Sequence, residues 1–225
     1  MVTAGISNWL KSATLLIVVT LISSEEAQSQ VAKADSSNFV LMSLPRGVEI
    51  LVPRGWKVFG QQWTDAFKAS AETGLNLPGI ELPSGKQVVL FAANSVPSGT
   101  FASIRISSVM PPSMSIAEIA SLTPTDLRQL RAESLSMWQQ TLATQKASLI
   151  SLHAVTVQTL AGHQALITEY RRSSGLASSP VKVQVNQIFT PTQEIMLTLS
   201  YREDEASLWL PVLSKIRASL RLSRQ

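Results

Sequence analysis

Cysteine is absent from all 225 residues. That excludes disulfides, thiolate catalysis, zinc–cysteine sites and cysteine-linked lipid anchors. Histidine is scarce. His153 and His163 are the only two, ten residues apart, and no third ligand stands at a readable metal-binding spacing. Strand-end or turn positions are the simpler reading of both. No Gly-x-Ser-x-Gly elbow exists for a serine hydrolase. "GIELPSGK", residues 79–86, imitates a phosphate loop but fails on count. Five residues separate Gly79 from Gly85 where the motif needs four, and Gln87 stands where a magnesium-binding hydroxyl belongs. Internal repeats are also lacking. The sequence therefore assigns no catalytic residue, no metal ligand and no cofactor.

Charge is sparse too. Charged residues make up 15% of the chain and apolar residues 45%, which is globular composition. A chain of this size buries roughly 70% of its unfolded surface and needs no covalent staple. The amino terminus reads as an export signal: Lys11, then the apolar run "SATLLIVVTLIS" over residues 12–23. Such a run is short of the roughly 20 residues a spanning helix requires. Ala27-Gln28-Ser29 and Ala32-Lys33-Ala34 offer small residues for cleavage at 29/30 or 34/35. The expectation is a signal peptide over residues 1–29 and a periplasmic or secreted product. The alternative is a protein anchored by an uncleaved N-terminal segment. Removing residues 1–29 takes Lys11, Glu25 and Glu26 from totals of 19 basic and 15 acidic, leaving 18 and 13, a net of +5. The basic residues are scattered, with Arg171-Arg172 the only adjacent pair. Nucleic-acid binders cluster theirs, so no nucleic-acid partner is expected.

What is present is alternation. "VEILVP", residues 48–53, is a strand by period, ended by Pro53 and Gly55. "WKVF" starts a second. Residues 64–74 carry a helical pattern with Phe67 and Ala71 at four-residue spacing, and residues 77–85 a loop. "KQVVLFAANS" and "TFASIRISSV" are strands around a Pro97-Ser98-Gly99 turn. Residues 123–145 form the clearest helix, with Thr123 as cap, Pro124 at the first position, Asp126 completing a capping-box-like spacing, and Leu127, Leu130, Ser134, Trp138 and Leu142 on one stripe. "HAVTVQTL" and "QALITEY" flank a hairpin signal at Ala161-Gly162-His163. "PVKVQVNQIF" and "EIMLTLSY" alternate strictly. A last helix starts at the acidic trio Glu203-Asp204-Glu205, which suits its positive end, and Pro211 is expected to kink or divide it. Strands in succession with helices in separate blocks give an α+β class. Its architecture is one antiparallel β-sheet flanked by helices, an α-β-α sandwich. Residues 30–43 read as a loose segment leading in, and 44–225 as a single domain.

The order "LPRGVEILVPRGW", helix, two strands, long helix, then "GHQALITEY", "VKVQVNQIF" and "IMLTLSYREDEASLWLPVLSKIRASLRL" resembles the PsbP/Mog1-type α-β-α sandwich and exported bacterial proteins of the DcrB kind. The likeness covers roughly residues 44–222 and rests on element order, the "P-x-G-W" stretch and the closing "I-R-A-S-L". It implies an antiparallel sheet with helices on both faces and an accessory or binding role, with no shared catalytic residues. Several bacterial relatives are lipoproteins. This chain has no cysteine for a lipid.

Candidate contact residues are few. Trp138 and Trp209 fall on or near apolar helix stripes and read as core. Trp56 is either a cover for the end of the sheet or an aromatic platform. Trp63, after Gln61-Gln62, is the candidate surface tryptophan. With Val181, Val183 and Val185 inward beside Ile195, Leu197 and Leu199, Lys182 would point outward, and Arg172 and Arg202 would join it at one end. Such a basic face would meet an acidic protein or acidic lipid head groups. Two function classes follow. One is an exported, non-enzymatic binding or accessory protein of the envelope. The other is an envelope hydrolase with an unrecognised site. Partner and oligomeric state are not readable from the sequence.

Overall fold

Alternation dictates the strands, and the computed structural model shows how they pair. It describes residues 38–59, 87–95, 100–144, 146–173 and 179–223. The expected signal segment, the helix over 64–74, the loop over 77–85, the phosphate-loop lookalike and Trp63 lie outside the described residues.

Eleven strands are described: β1 (Phe39–Leu44), β2 (Val48–Pro53), β3 (Lys57–Val58), β4 (Gln87–Asn94), β5 (Ala102–Val109), β6 (Leu149–Leu152), β7 (Thr156–Leu160), β8 (His163–Arg172), β9 (Val181–Phe189), β10 (Glu194–Arg202) and β11 (Arg221–Leu222). Three helices accompany them: α1 (Ile116–Ala120), α2 (Pro124–Thr144) and α3 (Ala206–Ser219). An eight-stranded sheet runs β3-β4-β5-β10-β9-β8-β6, with β7 also on β8, and a small sheet runs β1-β2-β11. Every pairing is antiparallel. The class is α+β, as composition and element order imply.

Local chemistry sets the ends. Thr123 accepts from the Asp126 amide while the Asp126 carboxylate accepts from the Thr123 amide, a reciprocal cap that starts α2. Ser115 and Glu118 do the same for α1. Ala161 and Gly162 hold φ of 51° and 80°, the left-handed pair that a two-residue hairpin between β7 and β8 requires. Pro211 sits inside α3, and the helix runs on through it as one segment. The expected division does not occur.

Three further elements depart from the sequence reading. Phe39–Leu44, expected within a loose leading segment, is strand β1, because Phe39, Val40, Met42 and Leu44 bury themselves against β2. The small sheet is separate from the large one, where one sheet was expected. Strand β6 precedes the expected "HAVTVQTL" strand, which itself begins only at Thr156.

The helices sit on opposite faces. Trp209, Leu213 and Ile216 of α3 share a core with Ile50 and Val52 of the small sheet and with Ile104, Ile106, Ile195, Leu197 and Leu199 of the large one. Trp138 and Leu142 of α2 share another with Leu152, Tyr170, Val181, Val183 and Val185. Leu130 joins Met114, Ile119, Leu166 and Phe189 in a third. Each fully buried aliphatic side chain contributes roughly 1.5–3 kcal/mol. Trp56 is core. It is 6% exposed and meets Trp209 edge-on, ring centroids 5.8 Å apart.

Candidate interaction surface at the end of strands β8 to β10

Register decides which side chains meet. Val183 stands opposite Ser200 and Val185 opposite Thr198, while Lys182 stands opposite Tyr201 and Gln184 opposite Leu199. Val181, Val183 and Val185 therefore face α2, and Ile195, Leu197 and Leu199 face α3. The expectation that the two sets share one face is corrected. Both faces carry helices, so both alternating sets are buried and burial alone does not say which belongs with which. Lys182 lies on the α3 side with Arg171, its partner on β8. Arg172 pairs in register with Val181 and faces α2. The three expected basic residues do not form one face.

On the α3 side, polar positions of β8 and β9 form a continuous chain. Lys182 Nζ lies 3.0 Å from Glu169 Oε2, and Gln184 Nε2 donates to Glu169 Oε1 at 2.7 Å. Asn186 Nδ2 donates to Gln184 Oε1 at 3.4 Å and to the Leu197 carbonyl at 3.1 Å. Arg217 of α3 closes the chain, donating from Nε to Asn186 Oδ1 and from Nη2 to Gln158 Oε1, both at 2.8 Å. Beside it, Arg171 grips Glu203 with two bonds of 2.6 Å, the planar fork that guanidinium and carboxylate favour.

Arg202 holds a different place. It donates to Asp204 at 3.1 Å and also to Glu205. The acidic trio is thus committed to the fold. Glu203 takes Arg171, Asp204 and Glu205 take Arg202, and Glu205 also accepts from the Phe101 amide and the Trp209 indole. His153 and His163 stand apart. The His153 amide bonds the Glu169 carbonyl, six residues along β8 from His163, a span of about 20 Å.

The electrostatics follow from the pairs. The Arg171 fork holds the Glu203 carboxyl below its usual range. Burial pushes Glu169 upward, but Gln184 and Lys182 outweigh it and the net direction is down. The hydrogen bond to Glu169 lifts Lys182, and Glu203 lifts Arg171. Side-chain exposures are 36% for Arg171, 28% for Glu203, 32% for Lys182 and 30% for Glu169. Each charge is fixed yet remains reachable by another molecule. Glu169, Gln184, Asn186 and Arg217 escape a reading of the sequence. The signal was present as opposite charges at outward positions of two neighbouring strands, but it becomes legible only with the register.

The class this architecture defines is an antiparallel α+β sandwich. No family model matches the sequence, and no curated protein does. Among solved structures the fold is similar to that of cyanobacterial PsbP (CyanoP) from Synechocystis sp. PCC 6803. Identity there is 16%, over 87% of this chain and 98% of that one, with a TM-score of 0.48. It is similar to LpqN, involved in cell envelope biogenesis of Mycobacterium tuberculosis, at 11% identity over 64% of this chain and 83% of that one, with a TM-score of 0.38. It is also similar to the Saccharomyces cerevisiae Ran-binding protein Mog1p, at 13% identity over 78% and 90%, with a TM-score of 0.36. At such identities no residue role passes from them to this chain.

Proposed function

We propose that this chain is an exported, non-catalytic accessory protein that docks on a protein of the cell envelope through the paired charges of Glu169, Arg171, Lys182 and Glu203. The observation that supports this reading is the geometry of two adjacent ion pairs, Arg171–Glu203 at 2.6 Å and Lys182–Glu169 at 3.0 Å, whose side chains stay 28–36% exposed. In pKa, both carboxylates move down and both cations move up. General acid–base catalysis needs a group poised near neutral pH, and these move away from it. Groups that keep their charge at every physiological pH suit electrostatic recognition, which sets specificity and association rate. The short apolar run before Gln30 supports export.

The test uses the mature chain and its charge-swapped form Glu169→Lys/Lys182→Glu, which preserves the pair and inverts its field. Capture of one envelope protein by the parent chain, weakened by added salt and lost on the swap, is the expected result. Equal capture and equal salt dependence in both forms would refute the docking surface. Turnover of an esterase, phosphatase, peptidase or glycosidase substrate, abolished by a single substitution that leaves the chain folded, would refute the non-catalytic reading.

A further inference from the structure

The other side of β8 carries a different chemistry, independent of the docking surface. Thr168, Tyr170 and Arg172 alternate along the strand opposite Val185, Val183 and Val181, beneath α2. They are 2%, 0% and 8% exposed. Each keeps one fully buried polar atom without a hydrogen-bond partner: Thr168 Oγ1, Tyr170 Oη and Arg172 Nε. Among the described residues, Arg172 donates from Nη1 to the Ser173 carbonyl at 3.0 Å. No carboxylate lies within ion-pair distance of it among the described residues. Its neighbour Arg171, far more exposed, has a bidentate acid.

A buried guanidinium with no anion among the described residues is a costly arrangement, and folded proteins generally pair such charges. Burial lowers the pKa of Arg172 and raises that of Tyr170. Arg172 has only donors to offer, and Tyr170 can donate its O–H, so the ligand these groups call for is a negatively charged hydrogen-bond acceptor. The Tyr170 ring packs on Trp138, 4.4 Å away between centroids, and apolar Leu142 and Val181 belong to the same buried cluster. A planar carboxylate matches the edge of a guanidinium and leaves an oxygen for a phenol. We propose that Arg172 and Tyr170 form a buried carboxylate-binding subsite between α2 and the end of β8. The carboxylate belongs either to a small organic acid or to the terminus of a peptide.

The experiment follows the Arg172 Nε–Hε resonance of the mature chain during titration with acetate, as the free acid, and N-acetylalanine, as the chain terminus. Acetamide, sodium chloride at matched ionic strength and inorganic phosphate serve as comparators. A saturable shift with a Kd of about 1 mM is expected for at least one carboxylate and for no comparator. Tyr170→Phe removes only the hydroxyl, and its affinity should fall about tenfold with the rest of the spectrum unchanged. Arg172→Met, followed through the backbone amide resonances of Tyr170 and Val181, should not bind. If Arg172→Met does not fold, the Tyr170→Phe isotherm decides. The proposal is overturned by no saturable shift up to about 50 mM carboxylate. It is equally overturned by an isotherm unaltered in Tyr170→Phe, by the same shift with chloride, or by phosphate binding more tightly than either carboxylate.

Discussion

Replacing Glu205 by alanine should destabilise the protein more than any other single change of a charged residue at the start of α3. Its side chain is 11% exposed and serves three donors. Oε2 accepts from the Phe101 amide at 2.7 Å and from Trp209 Nε1 at 2.8 Å, and Oε1 accepts from Arg202. Arg202 is 25% exposed, so it can turn to water and its bond is left out of the sum. The other two donors lie where the turn meets the α3 core. A hydrogen bond to a charged group contributes about 1.5–3 kcal/mol, and a buried donor stripped of its acceptor bears its desolvation cost. Taking the lower end for each, Glu205→Ala should lose about 3–4 kcal/mol. Glu205→Gln keeps one acceptor oxygen and should lose about 1–2 kcal/mol. The assay is urea unfolding followed by tryptophan fluorescence, since Trp209 stands against Trp56. For a domain of this size 3 kcal/mol corresponds to a fall in Tm of roughly 6–12 °C. A double-mutant cycle with Trp209→Phe should show strong coupling, because the two share one bond. A loss below about 1 kcal/mol in Glu205→Ala, or equal losses in both variants, would refute the hub.

Acid should weaken the charged surface with a defined sign. Glu169 and Glu203 have folded pKa values below their ordinary 4.5, so their contribution is complete above that value and is lost as pH falls through the lower folded values. Stability curves of Glu169→Gln and Glu203→Gln should each show a smaller acid limb than the parent chain. Trp138→Ala removes a 7% exposed ring from the α2 core and should cost about 3–5 kcal/mol in denaturant unfolding. Gly47→Ala places a Cβ against Ser223 Oγ at a φ of +71°, so a loss of about 1–3 kcal/mol is expected from strain alone and Tm should fall accordingly. Intact-mass measurement of the exported protein should give a start near Gln30 or Asp35; a full-length, membrane-embedded chain would contradict the export reading.

The local elements follow from residues close together in the chain. Period-two runs such as "VEILVP" and "EIMLTLSY" lie where β2 and β10 are, and the Thr123–Asp126 cap opens α2 one residue from its expected start. The Ala161-Gly162 turn is legible because Gly162 accepts at no steric cost the positive φ that a two-residue hairpin needs. These features depend on neighbours in the chain, so the chain states them. Which faces go together depends on contacts between distant parts of the chain. Strand β9 alternates Val181, Val183 and Val185 with Lys182, Gln184 and Asn186. An apolar set of this kind is read as inward, with no indication of which inside it meets. Helices cover both faces here, and the pairing of Val183 with Ser200, one residue from the alternative with Leu199, sends the valines to α2 and Lys182 to α3. A shift of one residue exchanges the faces completely. Phe39–Leu44 belongs to a second sheet for a related reason: its partner Val48–Pro53 is near in sequence, but β11 lies at the far end of the chain. Arg171 and Arg172 show the same limit at the scale of single side chains. They are identical and adjacent in sequence, yet the pleat sends one to a waiting carboxylate and the other beneath a helix, because successive side chains of a strand leave on opposite sides.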